Sequence, residues 1–346
     1  MTDPLVLDVA ERVFADTCTH DAIQAAEREG WAPGIWARAA DVGLPWIALE
    51  QGGGLVDALA VLRVAGRHAA PIPLAETGVL AGWLLSESGL PVGEGPLTVV
   101  PGRPEDTVRI VGDRISGTAH RVPWARAAER VVALVETAGT WMIAVVPGGD
   151  VAVEALTNLA GEPRDTVTFD VRAQVAPAPP GVDAPALLYR GALTRVMLMA
   201  GALGRMSRLT IDYTNERVQF GRPVGRFQAV QQHLVQGAQE AVLVGIAADG
   251  AARAASRGPG RFEIAAAKLL ANRAAYTATR AAHQAHGAMG MTQEYALHHL
   301  SRRLWAWRSE YGDDLFWSVR LGGAVARAGP ERLYPAITGG SAVVDV

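Results

Sequence analysis

The spacing of hydrophobic and polar positions changes period twice along the chain. Residues 7–29, 35–42, 55–68 and 77–88 carry apolar side chains at helical spacing, with Pro33, Pro71 and Pro73 as punctuation. From residue 97 to about 175 the apolar runs shorten. Segments 107–119, 130–136, 141–147 and 166–171 are rich in Val, Ile and Thr, and turns such as Gly112-Asp113 and Gly148-Gly149-Asp150 separate them. That pattern predicts a small antiparallel β-domain. Residues 176–181, Ala-Pro-Ala-Pro-Pro-Gly, read as a linker by composition. The helical period then returns in long segments over 193–216, 227–255, 262–286 and 293–308. The third of these is Ala-rich, which favours helix and close helix packing. Asp313 or Asp314 can cap a last helix that ends near Gly329-Pro330. The expected organisation is an N-terminal helical domain (1–95), a β-domain (96–180), a C-terminal helical bundle (184–330) and a tail (331–346). The fold class is mainly α with a small middle β-domain.

Composition narrows the chemistry. The chain has 346 residues, 49% hydrophobic and 19% charged, enough for a sizeable core. A net charge of −3 offers no electrostatic footprint for nucleic acid. The single cysteine, Cys18, excludes an internal disulfide framework and a Cys-based metal cluster. No H-E-x-x-H occurs, and the adjacent His298 and His299 are expected to diverge on a helix, so no metal site is expected. Ser301, Ser309 and Ser318 lack the G-x-S-x-G elbow of a nucleophilic serine. Without a basic leader or a run near 18 apolar residues, the expected location is the cytoplasm, with no membrane partner. Lys268 is the only lysine among 32 basic residues, which reads as a compositional habit favouring arginine.

Two stretches carry candidate chemistry. Residues 217–228, Arg-Val-Gln-Phe-Gly-Arg-Pro-Val-Gly-Arg-Phe-Gln, place a cation, two aromatics, a Gly-Pro turn and a terminal amide between two long helices. Arg217 offers a fork for a diphosphate, Gln228 a donor–acceptor amide for a base edge, and Phe220 and Phe227 surfaces for rings. An ordinary helix–turn–helix with a surface arginine fits the same spacing. The second stretch, Gln284-Ala285-His286-Gly287-Ala288-Met289-Gly290, ends a helix with glycines that let backbone approach a ligand.

Both stretches resemble motifs of the acyl-CoA dehydrogenase family. The first is similar to its flavin-adenine signature, R-x-x-F-G-x-P-x-x-x-F-Q. The second is similar to its Q-x-x-G-G-x-G-x-x-x-E-[YF] segment, with Ala288 where a second glycine is usual. Residues 36–75, including Gly43-Leu44 and the Glu50-Gln51-Gly52-Gly53 step, look like the family's N-terminal helical domain. The resemblance implies an α-domain, a β-domain and a four-helix bundle. It also implies that Arg217, Phe220, Gln228, Gln284 and Gly287 contact FAD.

Other family features are missing. The usual catalytic carboxylate column falls on Tyr311, a poor base at neutral pH, and the alternative position falls on Thr194. Glu310 stands one residue away, either as a solvated or helix-capping acid or as a displaced base. Arg195 matches an arginine that can face the CoA moiety. The T-E-P-x-x-G-S-D segment that wraps the flavin ring is absent from 95–130, and Val122-Pro123-Trp124-Ala125 echoes a later flavin-facing strand only faintly. The pattern resembles the short non-catalytic subunits of actinobacterial heteromeric acyl-CoA dehydrogenases, α2β2 assemblies acting on steroid side-chain thioesters. It implies a full-length catalytic paralogue as partner, an acyl-CoA substrate and an FAD shared across the subunit interface. The tract 302–314 looks like those small subunits too, and its Trp305 and Trp307 read as core or interface. Two alternatives stay open: a self-sufficient homo-oligomer using Glu310 as base, and a flavin-free structural paralogue.

Overall fold

In the computed structural model, which describes residues 3–49, 54–340 and 346, the first helical stretch is divided by its own caps. α1 (Pro4–Thr17) starts on Asp3, whose carboxylate accepts from the Leu5 amide. Thr19 caps α2 (His20–Glu29) by accepting from the Ala22 amide, so the 7–29 periodicity is two helices and not one. α3 (Pro33–Ala40) and α4 (Gly54–Arg67) follow. The Glu50-Gln51-Gly52-Gly53 step lies outside the described residues. Residues 75–82 depart from the ordinary helix their spacing predicts: they wind as a π-helix, wholly buried, before α5 (Trp83–Glu87). From within it Thr77 Oγ1 accepts from the Leu97 amide at 3.1 Å, tying this segment to the first strand.

Eight strands follow: β1 (Leu97–Val99), β2 (Arg109–Val111), β3 (Arg114–Pro123), β4 (Arg130–Thr137), β5 (Thr140–Pro147), β6 (Ala152–Glu154), β7 (Arg164–Arg172) and β8 (Gln174–Pro177). They form two four-stranded sheets, β1-β4-β5-β8 and β2-β3-β7-β6. Alternating inward residues such as Ile110, Ile115, Val131, Val146, Val167 and Phe169 build one core between them. The domain is not wholly antiparallel as expected, because β1 pairs parallel with β4. The chain leaves β1, makes the β2–β3 hairpin of the other sheet and returns alongside in the same sense. Part of the expected linker, Ala176-Pro177, is taken up by β8 at a sheet edge, where proline's missing N–H costs no ladder bond.

The described chain divides into two compact units, Met1–Val61 with Pro71–Gly191, and Leu62–Ala70 with Ala192–Val346. The second is helical. α6 (Ala184–Glu216) contributes its segment from residue 192. Contrary to the expectation from the sequence, α6 is long and apolar enough to cross a membrane, but 83% of its most apolar window is buried, the position of a core helix. The end of α4 crosses it where both backbones are bare. A β-carbon on Gly66 would lie 2.1 Å from the Leu198 carbonyl oxygen, and one on Gly201 would lie 1.9 Å from that of Arg63. Next come a hairpin, β9 (Val218–Gln219) and β10 (Arg222–Pro223), and two long helices packed along each other, α7 (Gln228–Ala255) and α8 (Arg261–His286). After α9 (Leu297–Trp307), Asp313 caps α10 (Asp314–Ala328) by accepting from the Phe316 amide, as expected. The region beyond 330 was expected to be a tail. It forms α11 (Leu333–Gly339) instead, because Ala336 is buried in a small cluster with Ala324.

Candidate functional site: an arginine-flanked cleft and a buried ion pair

The hairpin after α6 is a two-residue turn. Phe220 (φ 53°) and Gly221 (φ 79°) are both left-handed, the geometry of a type I′ connection. The Val224 amide donates to the Arg217 carbonyl at 2.8 Å and closes the hairpin. Phe220 is 91% exposed at its tip and meets the Phe227 ring edge-on at 6.1 Å, while the Arg222 guanidinium lies 4.2 Å over Phe227. Facing the hairpin, α8 ends at Gly287, whose φ of 61° permits the sharp exit. Between them opens a cleft of about 400 Å³, lined in part by Tyr213, Arg217, Phe220, Phe227, Gln284 and Gly287.

His286 also lines the cleft and is 4% exposed. Its Nδ1 donates to the Ala282 carbonyl at 2.8 Å, which leaves Nε2 as the acceptor of the neutral ring. The ring stacks on Tyr213 at 4.5 Å and tilts against Tyr295 at 5.0 Å. Burial pushes His286 below the ordinary histidine range, so it stays neutral at pH 7. One wall is thus a packed aromatic trio, and the mouth carries a cation and amides.

A second cluster lies farther along the same unit. Arg195, 1% exposed on α6, donates through Nε to Glu310 Oε2 at 2.6 Å, and the Tyr311 ring lies 5.3 Å from its guanidinium. The chain leaves α9 at Trp307 and turns through Tyr311 (φ 51°) and Gly312 (φ 96°). A β-carbon on Gly312 would sit 2.4 Å from Trp317 Nε1, which donates to the Tyr311 carbonyl at 3.1 Å, so only glycine fits there. Inside this turn lies Lys268, with no exposed surface. Its Nζ donates to Asn272 Oδ1 at 2.6 Å and to the carbonyls of Trp307 at 3.3 Å, Arg308 at 3.1 Å and Gly312 at 3.1 Å. Burial pushes Lys268 down to about 7, against the pull of Glu310 in the other direction.

Arg217, Phe220, Gln284 and Gly287 therefore meet at one cleft. Gln228 does not line it. It is exposed at the first position of α7, while Val230, two residues on and about 200° round the helix, faces the cleft. Glu310 is neither a solvated acid nor a helix cap, because the buried Arg195 holds it. Arg195 itself is 1% exposed in this chain. Thr194 is fully buried. Of the two tryptophans, Trp307 is core and Trp305 is 38% exposed, donating to Thr279 Oγ1. The His298 and His299 rings do not diverge, and their centres stand 4.0 Å apart in the first turn of α9. Lys268 had carried no role in the sequence reading. Its signal was a single lysine in an alanine-rich helix with Asn272 one turn on.

Residues 184–312 match the acyl-CoA dehydrogenase C-terminal domain. That segment is an acyl-CoA dehydrogenase C-terminal domain. Acyl-CoA dehydrogenase FadE27 of Mycobacterium tuberculosis is 27% identical over 300 residues, 76% of this chain and 80% of that protein. Among solved structures, the ChsE4–ChsE5 complex from Mycobacterium tuberculosis matches with a TM-score of 0.85 at 22% identity, covering 94% of this chain and 98% of that one. The Tcur3481–Tcur3483 steroid ACAD variant matches at 0.84 and 25% identity, covering 93% and 97%. The fold, with its helical N-terminal part, β-domain and helical C-terminal part, is therefore shared with these acyl-CoA dehydrogenase structures.

Proposed function

We propose that this chain is the β-type subunit of a heteromeric FAD-dependent acyl-CoA dehydrogenase that converts an acyl-CoA, of the steroid side-chain thioester class, to its 2-enoyl-CoA. One observation carries the reading: the chain has a cleft suited to the adenosine-diphosphate end of FAD, while its one candidate base is engaged elsewhere. Arg217 supplies a fork for phosphate, Gln284 an amide, Phe220 and Phe227 ring surfaces, and Gly287 a backbone without a side chain in the way. FAD held there would supply the acceptor for the hydride leaving the acyl β-carbon. The α-proton needs an ionised carboxylate at the substrate. Here Glu310 is tied to Arg195 and Thr194 is buried, so the partner supplies the base and the grip on the flavin ring. Two of the structural matches, ChsE4–ChsE5 and Tcur3481–Tcur3483, pair two named chains, which supports a paralogous partner here.

The test is flavin content by visible absorbance. The chain purified alone is expected to hold little FAD, and the co-purified complex to hold it tightly. Arg217→Ala combined with Gln284→Ala is expected to lower flavin retention of the complex at least tenfold, and Gln228→Ala alone to change it little. Stoichiometric flavin in the isolated chain, with turnover, would instead support a self-sufficient homo-oligomer with Glu310 as base.

A further inference from the structure

We propose that Lys268 is a positioning residue: its side chain clasps the loop that follows α9 and so keeps Glu310 seated on Arg195. This rests on the reading that Glu310 is withheld from catalysis. The Trp307 and Arg308 carbonyls belong to the last turn of α9 and its cap, where carbonyls have no partner within the helix. The Gly312 carbonyl lies on the far side of the turn. One nitrogen thus joins both arms of residues 308–312, and Glu310 stands between them. Asn272, one turn along α8, accepts from Lys268 and donates to the same Gly312 carbonyl at 3.2 Å. Four oxygens converge on one nitrogen, more than its N–H groups can each serve alone, so its donors are shared among them. The planar fork of arginine spreads its donors and cannot match that convergence, which accounts for a lone lysine in a chain that otherwise uses arginine.

The charged groups around the clasp are Glu310 and Arg195, which pair with each other, and Arg308 and Asp314, which pair at 2.9 Å. The closed loop lowers Lys268 to about 7 from an ordinary value of 10.5. An open loop lets water reach the amine, so opening takes up a proton across that window. By linkage, closure strengthens as pH rises above about 7 and weakens as pH falls toward it.

Amide hydrogen exchange on the full-length chain tests this. In Lys268→Met, which keeps the apolar stem, protection of amides 308–312 is expected to fall tenfold or more while the buried middle of α6 keeps its protection. In the wild type, opening of 308–312, corrected for intrinsic exchange, is expected to decrease from pH 7 to pH 9, and in Lys268→Met to stay flat. Unchanged protection in the variant, a flat wild-type profile, or equal loss throughout α6 would overturn the proposal. If Lys268→Met does not fold, Asn272→Ala removes one partner of the clasp, and the same local loss is expected; unchanged protection there would also overturn it. Turnover by the isolated chain would refute the withheld-base reading while leaving the exchange result intact.

Discussion

At the scale of single residues, the Arg195–Glu310 pair bears on whether Glu310 is available as a base. A carboxylate one position from the family's base column could serve as a displaced base only if it faced a substrate with its charge free. Arg195 sits in the interior at 1% exposure, and Glu310 answers it at 2.6 Å. Deleting one partner of a buried pair leaves an uncompensated charge, at a cost of about 3–5 kcal/mol. Glu310 retains 18% exposure, and that much water softens the loss, so Glu310→Ala is expected to destabilise the fold by about 2–3 kcal/mol. Urea unfolding measures it, and a change below about 0.5 kcal/mol would mean that Arg195 does not depend on this carboxylate. The pair was not legible in the sequence, because 115 residues separate its members and nothing in local spacing links them. The cleft residues were legible, since Arg217, Phe220, Gln284 and Gly287 lie in two short ordered motifs. Gln228, in the first of those motifs, is exposed at the start of α7 and is not among the residues that line the cleft.

At the scale of elements, close helix crossing positions the scaffold. Gly66 and Gly201 let the end of α4 touch the backbone of α6, which carries Arg195 and leads into the hairpin with Arg217. The opposing atoms are backbone oxygens at about 2 Å from an added β-carbon, so the helices themselves must part. Gly201→Ala is expected to cost about 2–3 kcal/mol, at the upper end of overpacking effects, and to lower Tm by several degrees. A neutral result would show that the crossing has slack. Helix and strand content followed from periodicity, and the cap residues Thr19 and Asp313 explain where two of the breaks fall. Periodicity could not distinguish the buried π-helix at 75–82 from an α-helix, since both put apolar residues inward. Nor could it see the parallel β1–β4 pairing, which depends on the path of the chain between the two strands.

At the scale of the whole molecule, exposed apolar surface bears on assembly. Val235, Val242 and Ile246 are 55%, 62% and 65% exposed. Their spacing of seven and four residues puts them on one stripe of α7. Such an exposed apolar stripe favours self-association. The isolated chain is expected to run larger than a monomer in sedimentation velocity, and Val242→Glu with Ile246→Glu to shift it toward monomer. A monomeric wild type, or a variant that sediments unchanged, would place the association elsewhere. Co-purification with the proposed partner should likewise be lost in that double variant if the same stripe serves the heteromer.

The sequence alone determined the succession of helices, strands and helices, because hydrophobic period and turn chemistry are local and survive without the fold. It also singled out the two short motifs whose residues line the cleft, since each is written within a dozen residues. Only the tertiary structure decided that Glu310 pairs with Arg195, that Lys268 bonds carbonyls on both sides of the turn that carries Glu310, and that Gln228 is exposed at the start of α7. Those outcomes depend on burial and on contacts between distant segments. A charge is costly inside unless another group answers it, and which group answers is settled by packing and not by spacing.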